Sequence, residues 1–200
     1  MSRHDAEVRT KIKARLRDRP KQLLLISEAR IGADGKNIRA NWKVIVAEEI
    51  EAIVRSASKG VGKARLGWLA GIIDGEGWIT ALTNPGWHVR LGVANTDERI
   101  IMAVMDISHA ICGSQGNLRV EIRENSKWKN RFDWLVSSRN ALIVLKVIEP
   151  FLIAKREQAQ LAILLQERIT FSKAKPLSED EHGNRAVLLD GLHRLNKRGE

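Results

Sequence analysis

Apolar positions recur along this chain with more than one period, and each change of period marks a change of element. Val8, Ile12 and Leu16 repeat at helical spacing until Pro20 stops the pattern. A short apolar run follows, Leu23 to Ile26, and then the turn-forming stretch Gly32-Ala33-Asp34-Gly35-Lys36-Asn37. Trp42, Ile45, Val46, Ile50, Ile53 and Val54 form a helical stripe, which Ser58-Lys59-Gly60-Val61-Gly62 ends as a linker. From Leu66 to Asp74 the chain is apolar and helical. Trp78 to Thr83 and His88 to Asn95 read as strands joined by a turn at Asn84-Pro85-Gly86. Asp97 to Cys112 predicts a helix with Ile100, Ile101, Val104 and Met105 inward, ended by Gly113 and Gly116.

Beyond it the period falls to two. Leu118, Val120 and Ile122 alternate with Arg119, Glu121 and Arg123, and Phe132, Trp134 and Val136 alternate with Arg131, Asp133 and Leu135. Helices are expected over Ala141 to Ile148, Ala154 to Ile169 and Asn184 to Asn196. The order of helix, two strands, helix, two strands and helices predicts an α+β fold: one four-stranded antiparallel sheet backed by helices. One sheet face is apolar. The other carries His88, Arg90, Arg119, Arg123, Lys129 and Arg131. A basic antiparallel ribbon of this kind can lie in a DNA major groove. The same alternation also describes the wet face of any sheet.

Charge sharpens that choice. The net charge is +10, which suggests a polyanionic partner. Residues 1–65 hold 16 Lys and Arg against 8 Asp and Glu, whereas 66–200 hold 18 against 16. The division expected is a basic N-terminal extension over 1–64, mostly helical or partly flexible, and a folded domain over 65–200. Two helices around a loop in a basic segment fit a helix-turn-helix, but a packing or flexible basic appendage is the better-favoured reading. A single cysteine, Cys112, excludes an internal disulfide and a cysteine-based zinc site. No apolar run reaches the length of a membrane span, and the mixed-charge N-terminus lacks the apolar stretch of a secretory signal. An intracellular setting, cytoplasmic or organellar, is expected.

The segment Leu69-Ala70-Gly71-Ile72-Ile73-Asp74-Gly75-Glu76-Gly77 resembles the LAGLIDADG signature of the homing endonucleases, departing only at Ile72, Gly75 and Glu76. The resemblance extends to Val93-Ala94-Asn95-Thr96-Asp97, similar to the family's second strand and next helix. It continues at Ile148 to Ala159, similar to its proline, Lys and Gln-Ala segment, and at Arg185-Ala186-Val187-Leu188. Gly71 and Gly75 are four apart and share a helix face, where another backbone can approach.

The resemblance implies a site-specific double-stranded DNA endonuclease working as a homodimer. Motif helices would pack between subunits through Ala70, Gly71, Asp74 and Gly75. Glu76, at the family's last acidic position, would be the metal ligand, with Mg²⁺ or another divalent cation as cofactor. Lys155 matches a basic residue near the scissile phosphate, Asn95 a polar residue orienting water, and Arg99 a position often basic. The sheet-face cations would contact DNA. Two further activities occur on the family scaffold: intron RNA binding as a maturase, and transcription regulation without cleavage. Retention of Glu76, Asn95 and Lys155 favours the enzyme, since a regulator has no chemical use for the acid.

Overall fold

The computed structural model describes residues 42–84, 86–123, 129–171 and 177–197, the side chains of 42–45 and 171 aside. The elements expected from Val8 to Asn37 lie outside these residues.

The chain order is α1 (Trp42–Gly60), α2 (Lys63–Glu76), β1 (Gly77–Leu82), β2 (His88–Asn95), α3 (Glu98–Cys112), β3 (Asn117–Glu121), β4 (Arg131–Ser137), α4 (Ser138–Ile148), a short 3-10 turn (Glu149–Phe151), α5 (Arg156–Phe171) and α6 (Glu179–Asn196). The four strands form one antiparallel sheet in the order β1-β2-β4-β3. This is the α+β architecture expected, with each strand within a residue or two of its alternating run.

Period-two alternation turns Ile79, Val89, Leu91, Val93, Phe132, Trp134 and Val136 to the helical side, where they are buried. Helices α3 and α4 press Ile101, Val104, Met105, Leu142 and Leu145 against them. Asp97 caps α3 by accepting the Arg99 N–H, and Gly113, in the left-handed conformation at φ 72°, closes its other end. The Val89 N–H lies beyond the β2–β4 register and donates instead to the buried Gln166 at 2.8 Å, which ties α5 to the sheet. On the free edge of β1, Asn196 at the end of α6 donates to the Ile79 carbonyl at 2.9 Å. That contact covers part of an otherwise open edge strand.

The boundary expected at residue 64 is crossed by the core. Val46, Ile50, Ala57 and Val61 are buried in the same cluster as the sheet, and α1 packs on α4 and α3. Glu51 of α1 pairs with Lys146, which Glu167 also meets at 2.7 Å, and Arg139 reaches Glu49 at 3.2 Å. Burial works against the Lys146 ammonium, but the two carboxylates outweigh it and hold its pKa above the usual lysine value. The residues from Trp42 onward therefore belong to the folded domain, because the helical stripe expected in the N-terminal extension is a core face. Among the described residues, no helix is long and apolar enough to cross a membrane.

Candidate active site and nucleic-acid interface

Helix α2 is the motif helix, and it presents two different faces. Leu66, Leu69, Ala70 and Ile73 are fully buried against the chain's own core. Ala70 therefore offers no surface to a partner, which corrects its expected place at a subunit contact. Its position on the helix, one residue before Gly71, turns it inward. Gly71 and Gly75 lie exposed on the opposite face with Trp68. A Cβ built at Gly67, Gly71 or Gly75 would meet nothing within 4 Å. A glycine inside a helix costs about 0.8–1.0 kcal/mol relative to alanine, and packing within this chain does not require it at any of the three.

Gly77 is different. A Cβ there would stand 2.7 Å from the Ile73 Cα and 2.8 Å from its carbonyl oxygen. Only glycine lets the chain leave α2 and enter β1 without a gap, and this pins Glu76 at the last position of the helix. Glu76 is exposed, with no hydrogen bond or ion pair among the described residues.

Asp74 is engaged elsewhere. Its two carboxylate oxygens accept the backbone N–H groups of Ile153 (2.8 Å) and Lys155 (2.9 Å). In return the Lys155 ammonium donates to the carbonyls of Ile73 (2.9 Å) and Asp74. This reciprocal clasp fixes the start of α5 to the end of α2, giving a donor to the Asp74 carbonyl and a second donor to the Ile73 carbonyl, which already accepts the Gly77 N–H. A cation there also complements the helix dipole. Lys155 thus stands at the helix end beside Glu76, holding backbone. Asp74→Ala should leave two N–H groups without acceptors and cost about 1–3 kcal/mol, read as a lower thermal midpoint.

Asn95 and Arg99 lie at the same end of the strand pair as Glu76, because Gly77 stands opposite Val93 in the β1–β2 register. Asn95 accepts the Asp97 N–H at 2.8 Å, closing the turn from β2 into α3. The Arg99 guanidinium, 91% exposed, is paired with Asp97 at 2.6 Å. That pairing and the Arg99 backbone N–H pull the Asp97 pKa down to about 2, with Lys129 contributing more weakly. The folded-state pKa is depressed, so the cap on α3 is intact at neutral pH and is lost only as the pH falls through about 2.

The open face of the sheet carries His88, Arg90, Arg119 and Arg131, with Arg123 and Lys129 just beyond the strand ends. It also carries acids that the alternation implied. Arg131 pairs with Asp133 at 2.9 Å and Arg123 with Glu121 at 3.6 Å. His88 Nδ1 lies 2.7 Å from the Gly86 carbonyl. Arg90 and Arg119 have no carboxylate partner among the described residues. Trp78, expected only as the start of a strand, lies on this face too, with Arg90 over its ring at 5.8 Å from the centroid. The signal that could have found it is parity: Trp78, Thr80 and Leu82 share a face, and the buried Ile79 and Ala81 share the other.

Among solved structures, the homing endonuclease I-CvuI bound to the I-CreI target, in the presence of magnesium and with the DNA not cleaved, is 21% identical. It superposes with a TM-score of 0.53 over 69% of this chain and 85% of its own. The same enzyme with its target and calcium gives 20% identity and a TM-score of 0.53 over 68% and 84%. The group I intron-encoded homing endonuclease I-CeuI, complexed with DNA, is 15% identical with a TM-score of 0.48 over 80% and 83%. No protein-family profile and no curated protein sequence matches the chain. The chain has the fold of the LAGLIDADG homing endonucleases. The helix that resembles their signature is α2, which ends on Glu76 and feeds directly into the sheet.

Proposed function

We propose that the protein is a site-specific double-stranded DNA endonuclease that acts as a homodimer, with Glu76 as a ligand for a divalent metal. One observation carries the reading: an unpartnered exposed carboxylate, held by an obligatory glycine at the end of a helix whose glycine face is open. The DNA-bound homing endonucleases of the same fold support the substrate class.

The donor set fits a shared metal rather than an enclosed one. Among the described residues no group of three or more His, Cys, Asp or Glu could hold an ion. Mg²⁺ is commonly held by one or two carboxylates together with phosphate oxygens and water. One Glu76 from each of two copies, beside a DNA phosphate, meets that need. When bound there, the metal would lower the pKa of water and stabilise the leaving oxygen. The chain's own groups do the positioning. Gly77 and the Asp74 clasp hold the Glu76 backbone, Lys155 brings a positive charge to the same end, and Asn95 shapes the neighbouring turn. Arg90, Arg119 and Arg131 would align the duplex on the sheet.

Two copies are needed because each chain has one motif helix. The Gly67, Gly71 and Gly75 ridge would let a second α2 approach backbone to backbone. Beside it a groove of about 340 Å³ between α2 and α3, lined by Trp68, Ala103 and Ile107, offers apolar contact. Gly71→Leu should fold, since a side chain there points into open space, and should abolish the dimer. Sedimentation of the wild type on DNA reads the assembly, and a monomer at concentrations that cleave would sink it. Arg119→Ala should lower the salt dependence of binding by about one unit of slope, and a salt titration showing no change would remove this residue from the interface.

The direct test of function is incubation with a randomised duplex library and Mg²⁺, followed by sequencing of cut ends. A recurrent, partly palindromic cut site is the expected result. Binding of a recurrent site with no cutting under any divalent ion would favour a regulator on the same scaffold. Selective retention of intron RNA in place of duplex would favour a maturase.

A further inference from the structure

Arg90 and Trp78 form a unit that the other cations of the sheet face do not. Trp78 lies directly across from Gly92 in the β1–β2 register. A Cβ at Gly92 would fall 2.4 Å and 2.6 Å from atoms of the indole ring, and 2.8 Å from the Trp134 carbonyl oxygen. The ring is therefore laid against bare backbone, and glycine is the one residue that permits it. Arg90, two positions before Gly92 and on the same face, sets its guanidinium carbon 5.8 Å from that ring centroid. Its register neighbours are Thr80 and Ser137, both short and uncharged.

The consequence is a held but unspent guanidinium. Arg131 gives its Nε–H to Asp133 and Arg123 faces Glu121, so those donors are partly committed. Arg90 is stacked on an aromatic face and keeps its N–H donors free of any carboxylate among the described residues. Stacking limits the side-chain freedom that binding would otherwise have to remove. β2 is an interior strand, between β1 and β4, so Arg90 rises from the middle of the face. A planar donor fork presented there matches guanine, whose O6 and N7 both accept in the major groove. Lysine would supply the charge without the fork.

We propose that Arg90 reads one guanine in each DNA half-site, and that Trp78, seated on Gly92, is the positioning residue that holds it for that contact. This rests on the reading of the sheet as the DNA face. It is tested by selecting binders from a duplex library without divalent metal, using wild type, Arg90→Ala, Arg90→Lys and Trp78→Met. Wild type should fix one guanine per half-site. Arg90→Ala should relax that position at least about tenfold. Arg90→Lys should relax it while keeping the salt slope. Trp78→Met, of adequate bulk but with no ring face, should relax the same position and leave others and the salt slope alone. An unchanged guanine preference in Trp78→Met overturns the positioning role. Unchanged base preference in Arg90→Ala overturns the guanine contact, and unchanged affinity and salt slope in a combined Arg90→Ala, Arg119→Ala variant overturns the reading of the face itself. Should Trp78→Met fail to fold, proton–nitrogen spectra of the free wild type decide, with Arg90→Lys assigning the signal. The stacked Arg90 Nε–H should appear upfield under the indole ring current, and a resonance at the position of a solvated arginine overturns the inference.

Discussion

Glu76→Gln is expected to reduce Mg²⁺-dependent cleavage by about 10³-fold, in the upper range for losing one group that stabilises transition-state charge. The fold, the dimer and DNA binding should survive. Glutamine nearly preserves shape but removes the negative charge a hard cation needs. Nothing structural depends on that charge, because Glu76 makes no hydrogen bond or ion pair among the described residues. The helix exit is fixed by Gly77, and the helix end by Asp74 and Lys155. Affinity for DNA measured without divalent ions should rise slightly, since a negative charge is removed near the phosphates. Single-turnover cleavage of a duplex recovered from the library, beside a binding titration, separates the two effects. A variant that cuts at the wild-type rate would reject Glu76 as the metal ligand. A variant that loses binding and cleavage together would show instead that this acid holds the structure.

Much of the architecture was legible because strand alternation is a strong signal when one face is buried. Leu91 and Val93 inward against Arg90 and Ala94 outward fix the faces of β2 and forbid a one-residue slip of its pairing. The end of the motif helix was legible for a different reason: two glycines flank an acid, and one of them is sterically required. The faces of α2 were harder. Leu66, Trp68, Leu69, Ile72 and Ile73 spread around the helix, so periodicity alone did not separate Ala70, which is buried, from Gly71, which is not. The ion pairs of the sheet face depend on which neighbours meet across strands and along them. Arg131 and Asp133 share a face by parity, but their contact at 2.9 Å is a matter of side-chain direction that no spacing rule supplies. Lys155 illustrates the same limit. Its place near the motif follows from the resemblance, whereas its use as a cap on the Ile73 and Asp74 carbonyls needed the fold.

Removing residues 1–62 is expected to destroy cooperative folding. The reason is α1. Its stripe puts Val46, Ile50, Ala57 and Val61 into the common core, with Ile50 only 1% exposed. Burying a Val or Ile side chain contributes about 1.5–3 kcal/mol, so losing three of these removes roughly 4–9 kcal/mol. That estimate is an upper bound, because unfolded chains already hide some apolar surface. It still rivals the whole stability of a typical domain, about 5–15 kcal/mol. The loss also strips Glu51 from Lys146, leaving that half-buried ammonium with Glu167 as its remaining partner in the pair of salt bridges. Ile111 and Ile143, which line the cleft beside α1, would face water. The fragment starting at Lys63 should therefore show native-like far-ultraviolet dichroism at most, with no cooperative melt and no near-ultraviolet signal. The same truncation removes most of the N-terminal cations, so non-specific affinity should fall as well. A Lys63 fragment that melts cooperatively at the full-length temperature would show that α1 is an appendage after all.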